Sequence, residues 1–257
     1  MALRKCWAEP LGGCDDQISR EHVVSANLWN GGVLDVSGFP WCRHEVKKVP
    51  VAKLTAKVLC RTHNSGLSDV DAAGGDLFEY IRRSGRLFKI RGEALVRKKW
   101  KVVEYEADGA RLERWFLKTV INLGASRSAG GKWAIDRTPL AKPPEAFVRA
   151  AFGEASLEPP LGLYGVVSSR EDFSFQERVE ISTLLDNAGD VAAALIQFHG
   201  LRFFLNLQIG TVPRSFNLPL GGHWVPSNVV HHMGRINFNV AGRRSHQINF
   251  RWSTAAD

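Results

Sequence analysis

Cys60-Arg61-Thr62-His63-Asn64 is the stretch on which the reading of this chain turns, because it follows Cys6, Cys14 and the pair Glu21-His22 within the first quarter of the sequence. A Cys-x2-His turn places a sulfur and an imidazole within reach of one tetrahedral centre. Upstream, Cys6-Trp7-Ala8-Glu9-Pro10-Leu11-Gly12-Gly13-Cys14 reads as a turn-rich knuckle, since its Pro and paired Gly let the backbone fold back until two thiolates face one ion. Together Cys6, Cys14, Cys60 and His63 make a closed four-ligand set, the pattern of a structural zinc rather than a catalytic one. Cys42, in Trp41-Cys42-Arg43-His44, is a spare thiol, either an alternative fourth ligand or a small hydrophobe buried among aromatics.

Between the two halves of that set, Ser19-Arg20-Glu21-His22-Val23-Val24-Ser25-Ala26 enters an apolar stretch directly from a charged pair. Residues 54–59 read as a strand that ends at Cys60. Asn64 to Ala73 starts a helix, with Leu67, Val70 and Ala73 at helical spacing; Gly74-Gly75 interrupts it, and a second helix N-capped by Asp76 runs to Arg83. The order is strand, loop, strand, helix around a metal.

That order resembles the HNH endonuclease family and its ββα-metal fold. The family's acidic-His pair is matched by Glu21-His22, and its zinc knuckle followed at once by His or Asn is matched by Cys60 to His63 followed by Asn64. The resemblance implies that His22 is the general base that activates water. It implies that Glu21 and Asn64 supply oxygens to a catalytic divalent ion, magnesium or another, and that Cys6, Cys14, Cys60 and His63 fasten the module with Zn2+. It extends over residues 1–90. The chain departs from the family at three points: His63 stands where a Cys is commoner, Glu21 where an Asp leads, and the middle Asn has no counterpart, Thr55 and Lys57 being nearest to its place. Asp69 and Asp71 either join the ion's shell or are acids on the first turns of a helix.

Composition agrees with a folded, basic protein. Of 257 residues, 44% are hydrophobic, and 34 Lys and Arg stand against 26 acids for a net charge of +8, compatible with a polyanionic partner. Arg82, Arg83, Arg86, Lys89, Arg91, Arg97, Lys98, Lys99 and Lys101 crowd the segment after the opening motifs, as a solvated face or a phosphate-contacting one. No apolar run approaches the roughly 20 residues of a membrane helix, and Met-Ala-Leu-Arg-Lys-Cys-Trp has no secretory apolar stretch, so a cytoplasmic location without membrane contact is expected. Four cysteines in such a chain point to metal ligation or burial rather than a disulfide scaffold.

Residues 91–257 read as an accessory α+β unit, β-rich after about residue 160. Lys98 to Glu106 is a strand. Arg111 to Leu123 is an amphipathic helix with Leu112, Trp115, Phe116, Val120 and Leu123 inward and with Arg111, Arg114 and Lys118 on the outer face, open to phosphate. Thr138 to Pro144 is a connection leading to a short helix over 144–152. Strands follow at 163–167, 179–185, 191–198, 201–207, 236–240 and 247–252, with turn signals between them. His199, His223, His231, His232 and His246 have no carboxylate or Cys at a supporting spacing and read as core or surface residues.

The expected fold is therefore α+β, an N-terminal zinc-stapled HNH-like module followed by a helical connection and a β-rich C-terminal unit. The expected function is a metal-dependent endonuclease acting on nucleic acid, DNA first, in the manner of the accessory nucleases of bacterial defence and mobile elements that the family includes. Alternatives are a non-catalytic zinc module that binds nucleic acid and a scaffold protein. The C-terminal unit is the expected seat of a homo-oligomer contact or a protein partner.

Overall fold

Mixed α and β structure with several separate sheets is what the computed structural model of the chain contains, described over residues 6–25, 33–36, 47–50, 54–93, 99–125, 143–168, 179–185, 191–198, 200–208, 215–220 and 223–252. Strand β1 (Ile18–His22) pairs antiparallel with β4 (Thr55–Cys60), while β2 (Val33–Val36) and β3 (Lys47–Pro50) form a second small hairpin between them. Next come the short helix α1 (Arg61–Ser65) and the long α2 (Ser68–Glu93), then β5 (Val103–Asp108), α3 (Gly109–Ala125) and α4 (Glu145–Phe152). The rest is strand: β6 (Gly162–Ser168), β7 (Val179–Leu185), β8 (Val191–Phe198), β9 (Leu201–Asn206), β10 (Ser215–Leu220), β11 (His223–His231), β12 (Arg235–Val240) and β13 (Arg243–Arg251). Cys42 and most of the 138–144 connection lie outside the described residues.

The expected strands at 179–185 and 191–198 are present with those bounds, and the β-rich half is a six-stranded antiparallel sheet in the order β10-β11-β6-β9-β8-β7. Sequence reading misses β10 and β11 because each carries a proline. Pro219 sits on the edge strand, and Pro226 pairs only with Asn217 of that edge strand, just before the run Ser227–His231 that pairs with β6. Strands β12 and β13 do not join that sheet. They form a hairpin whose β13 runs parallel to β5, closing a three-stranded sheet from distant parts of the chain.

Two helical expectations are corrected. Helix α2 is continuous for 26 residues through Gly74-Gly75. A Cβ at Gly74 would lie 2.6 Å from the Trp115 indole, so this glycine admits a ring from α3 instead of ending a helix. Helix α3, in turn, has no long polar face. It packs against α2, α4, β4, β5, β6, β9 and β13, and Lys118, expected to face solvent, is 1% exposed. One cluster of buried side chains runs from Cys6 and Trp7 through Leu67, Phe116 and Val148 to Phe250. No helix among the described residues is long and apolar enough to cross a membrane.

Two histidine readings are also resolved by packing. His232 Nε2 lies 3.0 Å from Glu113 Oε2 of α3, and Trp252 stacks on its ring, so tertiary contact supplies the carboxylate that no nearby residue does. His246 on β13 is fully buried and stacked on Phe238, and burial, with Arg91 beside it, pulls its imidazole from the ordinary 6.5 down to about 4. The folded state therefore holds this ring neutral. Its contribution is complete above pH 6.5 and is lost as pH falls toward 4, because there the unfolded chain binds a proton that the folded chain refuses. Urea unfolding at pH 5 is expected to show about 2 kcal/mol less stability from this group than at pH 7. His246→Phe, which keeps the stack, should remove that part of the pH dependence; an unchanged profile would refute the assignment.

Candidate metal centre and adjoining cleft

Cys6 precedes a single 3-10 turn at Glu9–Leu11, and Gly12 and Gly13 follow with φ of +73° and +66°, a left-handed reversal that returns the chain to Cys14. Trp7 donates its backbone N–H to the Val58 carbonyl at 2.9 Å, and Arg61 donates to the Gln17 carbonyl at 2.8 Å, which hang the knuckle on the end of β4. There Cys60 caps α1, its sulfur accepting the His63 backbone N–H. Phe152 of α4 closes the far side, with its ring 5.4 Å from His63 and 5.7 Å from Trp7.

His63 Nδ1 lies 3.5 Å from Cys6 Sγ, 3.5 Å from Cys14 Sγ and 3.1 Å from Cys60 Sγ. A tetrahedral zinc with Zn–S of about 2.3 Å and Zn–N of about 2.0 Å separates its S and N ligands by about 3.5 Å. All four ligand atoms lie within 4.8 Å of one another, so Cys6, Cys14, Cys60 and His63 fit a structural zinc. The electrostatics agree. Burial, with thiols close by, raises the Cys6 thiol to about 12, so a thiolate there needs a cation. Burial lowers the His63 imidazole, which keeps it in the neutral, ligating form. Four protein ligands leave no open position for a substrate.

Beside this centre lies a cleft of about 370 Å³ lined by Arg20, Glu21, His22, Ser25, Asn64, Ser65, Ser68 and Asp71. The residues expected from sequence, Glu21, His22 and Asn64, thus reach one place. Glu21 and His22 come from the end of β1, where the ladder to β4 shifts register between Ser19 and Glu21, and Asn64 comes from α1 directly after the His63 ligand. Thr55 is the register partner of His22 across the hairpin, while Lys57 is exposed. Of the two helix acids, Asp71 lines this cleft and Asp69 lines a separate cavity with Asp76, Glu106 and Asp108.

Sequence reading misses the residue beneath the cleft. Lys118 Nζ sits 2.6 Å from Glu21 Oε1 and 2.7 Å from both Asp71 oxygens. The Ser25 hydroxyl donates to Asp71 Oδ1 at 2.5 Å, and Trp115 Nε1 donates to Ser25 Oγ at 2.9 Å. Burial pushes the Glu21 carboxyl above its ordinary value; the Lys118 ammonium offsets part of that, and Asp71 adds to the rise. Formally this group of two carboxylates and one ammonium carries −1. The i, i+3 and i, i+4 pattern of α3 gives no signal for Lys118, because its partners belong to β1 and α2.

No protein-family model, curated protein or solved structure matches this chain.

Proposed function

We propose that the chain is an HNH-type, metal-dependent endonuclease that hydrolyses phosphodiester bonds in nucleic acid, DNA first. The observation that carries the reading is the shared cleft, where His22 and Glu21 from β1, Asn64 from α1 and Asp71 from α2 meet beside a Cys3His cluster. A purely structural zinc has no need of that second constellation.

In this reading His22 accepts the proton of the attacking water, held on the rim of the cleft by the β1–β4 pairing. Glu21 and Asn64 would hold a divalent ion, whose chemistry is to neutralise charge on the phosphate and leaving oxygen. Lys118 and Ser25 fix the carboxylates so that they do not swing with substrate. Arg20, exposed at the cleft, meets the phosphate backbone. The zinc centre does no chemistry and clamps the hairpin to α1.

Cleavage of supercoiled plasmid in magnesium or manganese tests this. His22→Ala is expected to slow nicking by about 10²- to 10⁴-fold while keeping zinc and DNA affinity. Equal cutting by both proteins removes His22 from the chemistry. A second reading, a zinc module that binds nucleic acid without cutting, draws on Lys118, whose ammonium already engages Glu21 and Asp71. It predicts that both proteins bind and neither cuts.

A further inference from the structure

The basic crowding after the opening motifs acquires a shape only in three dimensions. Arg91, near the end of α2, donates to the Ser245 carbonyl and hydroxyl on β13 and to the Lys101 carbonyl at 3.1 Å. Its guanidinium lies 5.4 Å from the Trp100 ring, and Trp100 Nε1 donates to the Arg244 carbonyl at 3.1 Å. One arginine thus ties three separate pieces of chain together. Their cations, Arg86 and Lys89 on α2, Lys99 and Lys101 before β5, and Arg243 and Arg244 at the start of β13, are all exposed.

Charge balance separates these six from their neighbours. Arg82 and Arg83 share Glu79, Arg111 is paired with Asp108, Arg149 with Glu145 and Glu154, and Arg251 with Glu106. None of the six makes an ion pair among the described residues. Phe88 and Ile90, 36% and 63% exposed, lie in the same helical turns. Four of the six, Lys99, Lys101, Arg243 and Arg244, stand within two residues of the Arg91 junction, with Arg86 and Lys89 on the neighbouring turns of α2. Exposed cations without an ion pair among the described residues, held on a fixed scaffold, are the electrostatic footprint of a polyanion, and a phosphodiester backbone supplies the regular spacing of charge that such a strip can follow.

Distance gives the footprint a length. Asp71, in the cleft, and Lys89 belong to the same unbroken helix, 18 residues apart, which at 1.5 Å per residue is about 27 Å. At 3.4 Å per step that is about eight base pairs of duplex. We infer that this strip is a second nucleic-acid contact, and that α2 sets it about eight base pairs to one side of the cleft. The strip stands on its own charge and geometry; the spacing to a cut site rests on the nuclease reading above.

The test is fluorescence anisotropy with a labelled 30-base-pair duplex across a salt series, comparing the full chain with Arg243→Ala/Arg244→Ala, alongside cleavage of duplexes with long and short flanks. Both arginines are exposed and Arg91 is left in place, so zinc content and melting temperature should not change. Expected is a fall in affinity of about 10-fold or more, with the slope of log K against log salt reduced by about two. Duplexes with fewer than about eight base pairs on one flank should be cut more slowly by wild type and no more slowly by the variant. Unchanged affinity and slope overturn the strip, as does loss of binding to phosphatidylserine vesicles with duplex binding intact, which makes it a membrane contact. A protein that binds with this variant-sensitive slope yet never cuts overturns the nuclease reading and leaves the strip standing.

Discussion

Purified protein is expected to carry one zinc ion per chain and to lose it, together with the fold of its N-terminal hairpin, on Cys60→Ser. Cys60 is fully buried, supplies one sulfur of the cluster, caps α1 and stands at the end of β4, so one substitution removes a ligand, a cap and a strand anchor at once. Structural zinc sites contribute roughly 10 kcal/mol or more of apparent binding energy to small domains, and that energy belongs to folding. The surrounding side chains, Trp7, Leu59 and Leu67 among them, belong to the same buried cluster as the helices, so the damage should spread beyond the knuckle. Because the variant is expected to be poorly folded, the decisive companion is wild type treated with a strong chelator. Its melting temperature should fall steeply and recover on readdition of zinc. Cys42→Ser is the control and should retain full zinc; loss of zinc there, with retention in Cys60→Ser, would reassign the ligand set.

Lys118→Met is expected to destabilise the chain by about 3–5 kcal/mol, out of proportion to a single lysine on a helix, because it leaves Glu21 buried and unpaired. Methionine keeps the aliphatic bulk, so the loss isolates the ammonium. The pH dependence identifies the cause. With Lys118 gone, the folded-state Glu21 carboxyl, already raised by burial, rises further above its unfolded value. A raised acid leaves stability intact below the unfolded pKa and erodes it as pH climbs through the folded one, so the deficit should be small near pH 4 and large at pH 8. Glu21→Gln in the same chain should recover much of it, a coupling that a double-mutant cycle measures directly. A deficit that is flat with pH and not rescued would mean that Lys118 acts by packing alone.

Much of the site is legible in the order of residues along the chain. The cysteine, histidine and glycine pattern of the knuckle works because its geometry is local: Gly12 and Gly13 reverse the chain between two sulfurs, and Cys60 to His63 spans one turn. The strands at 179–185 and 191–198 and the helix ending at Gly153 are equally local, set by runs of apolar residues and by a glycine in the left-handed region. Those features are fixed by backbone preferences over a few residues.

Local order therefore suffices for each half of the ligand set, whereas the pairing of β1 with β4 is what brings Cys6 and Cys14 to Cys60 and His63, and Glu21 and His22 to Asn64. Which charges meet is settled by long-range packing alone. Lys118 reads as a surface lysine because its helical neighbours are all a sequence displays, yet β1 and α2 bring it two carboxylates. Gly74 reads as a helix stop because glycine lowers helix propensity, yet the Trp115 ring fills the space that its missing Cβ leaves. Arg91, Trp100 and Arg244 gather one basic strip only because β13 pairs in parallel with β5. Each of these is a contact between segments far apart in the chain, where an ion pair, a ring or a strand register supplies free energy that no local propensity encodes.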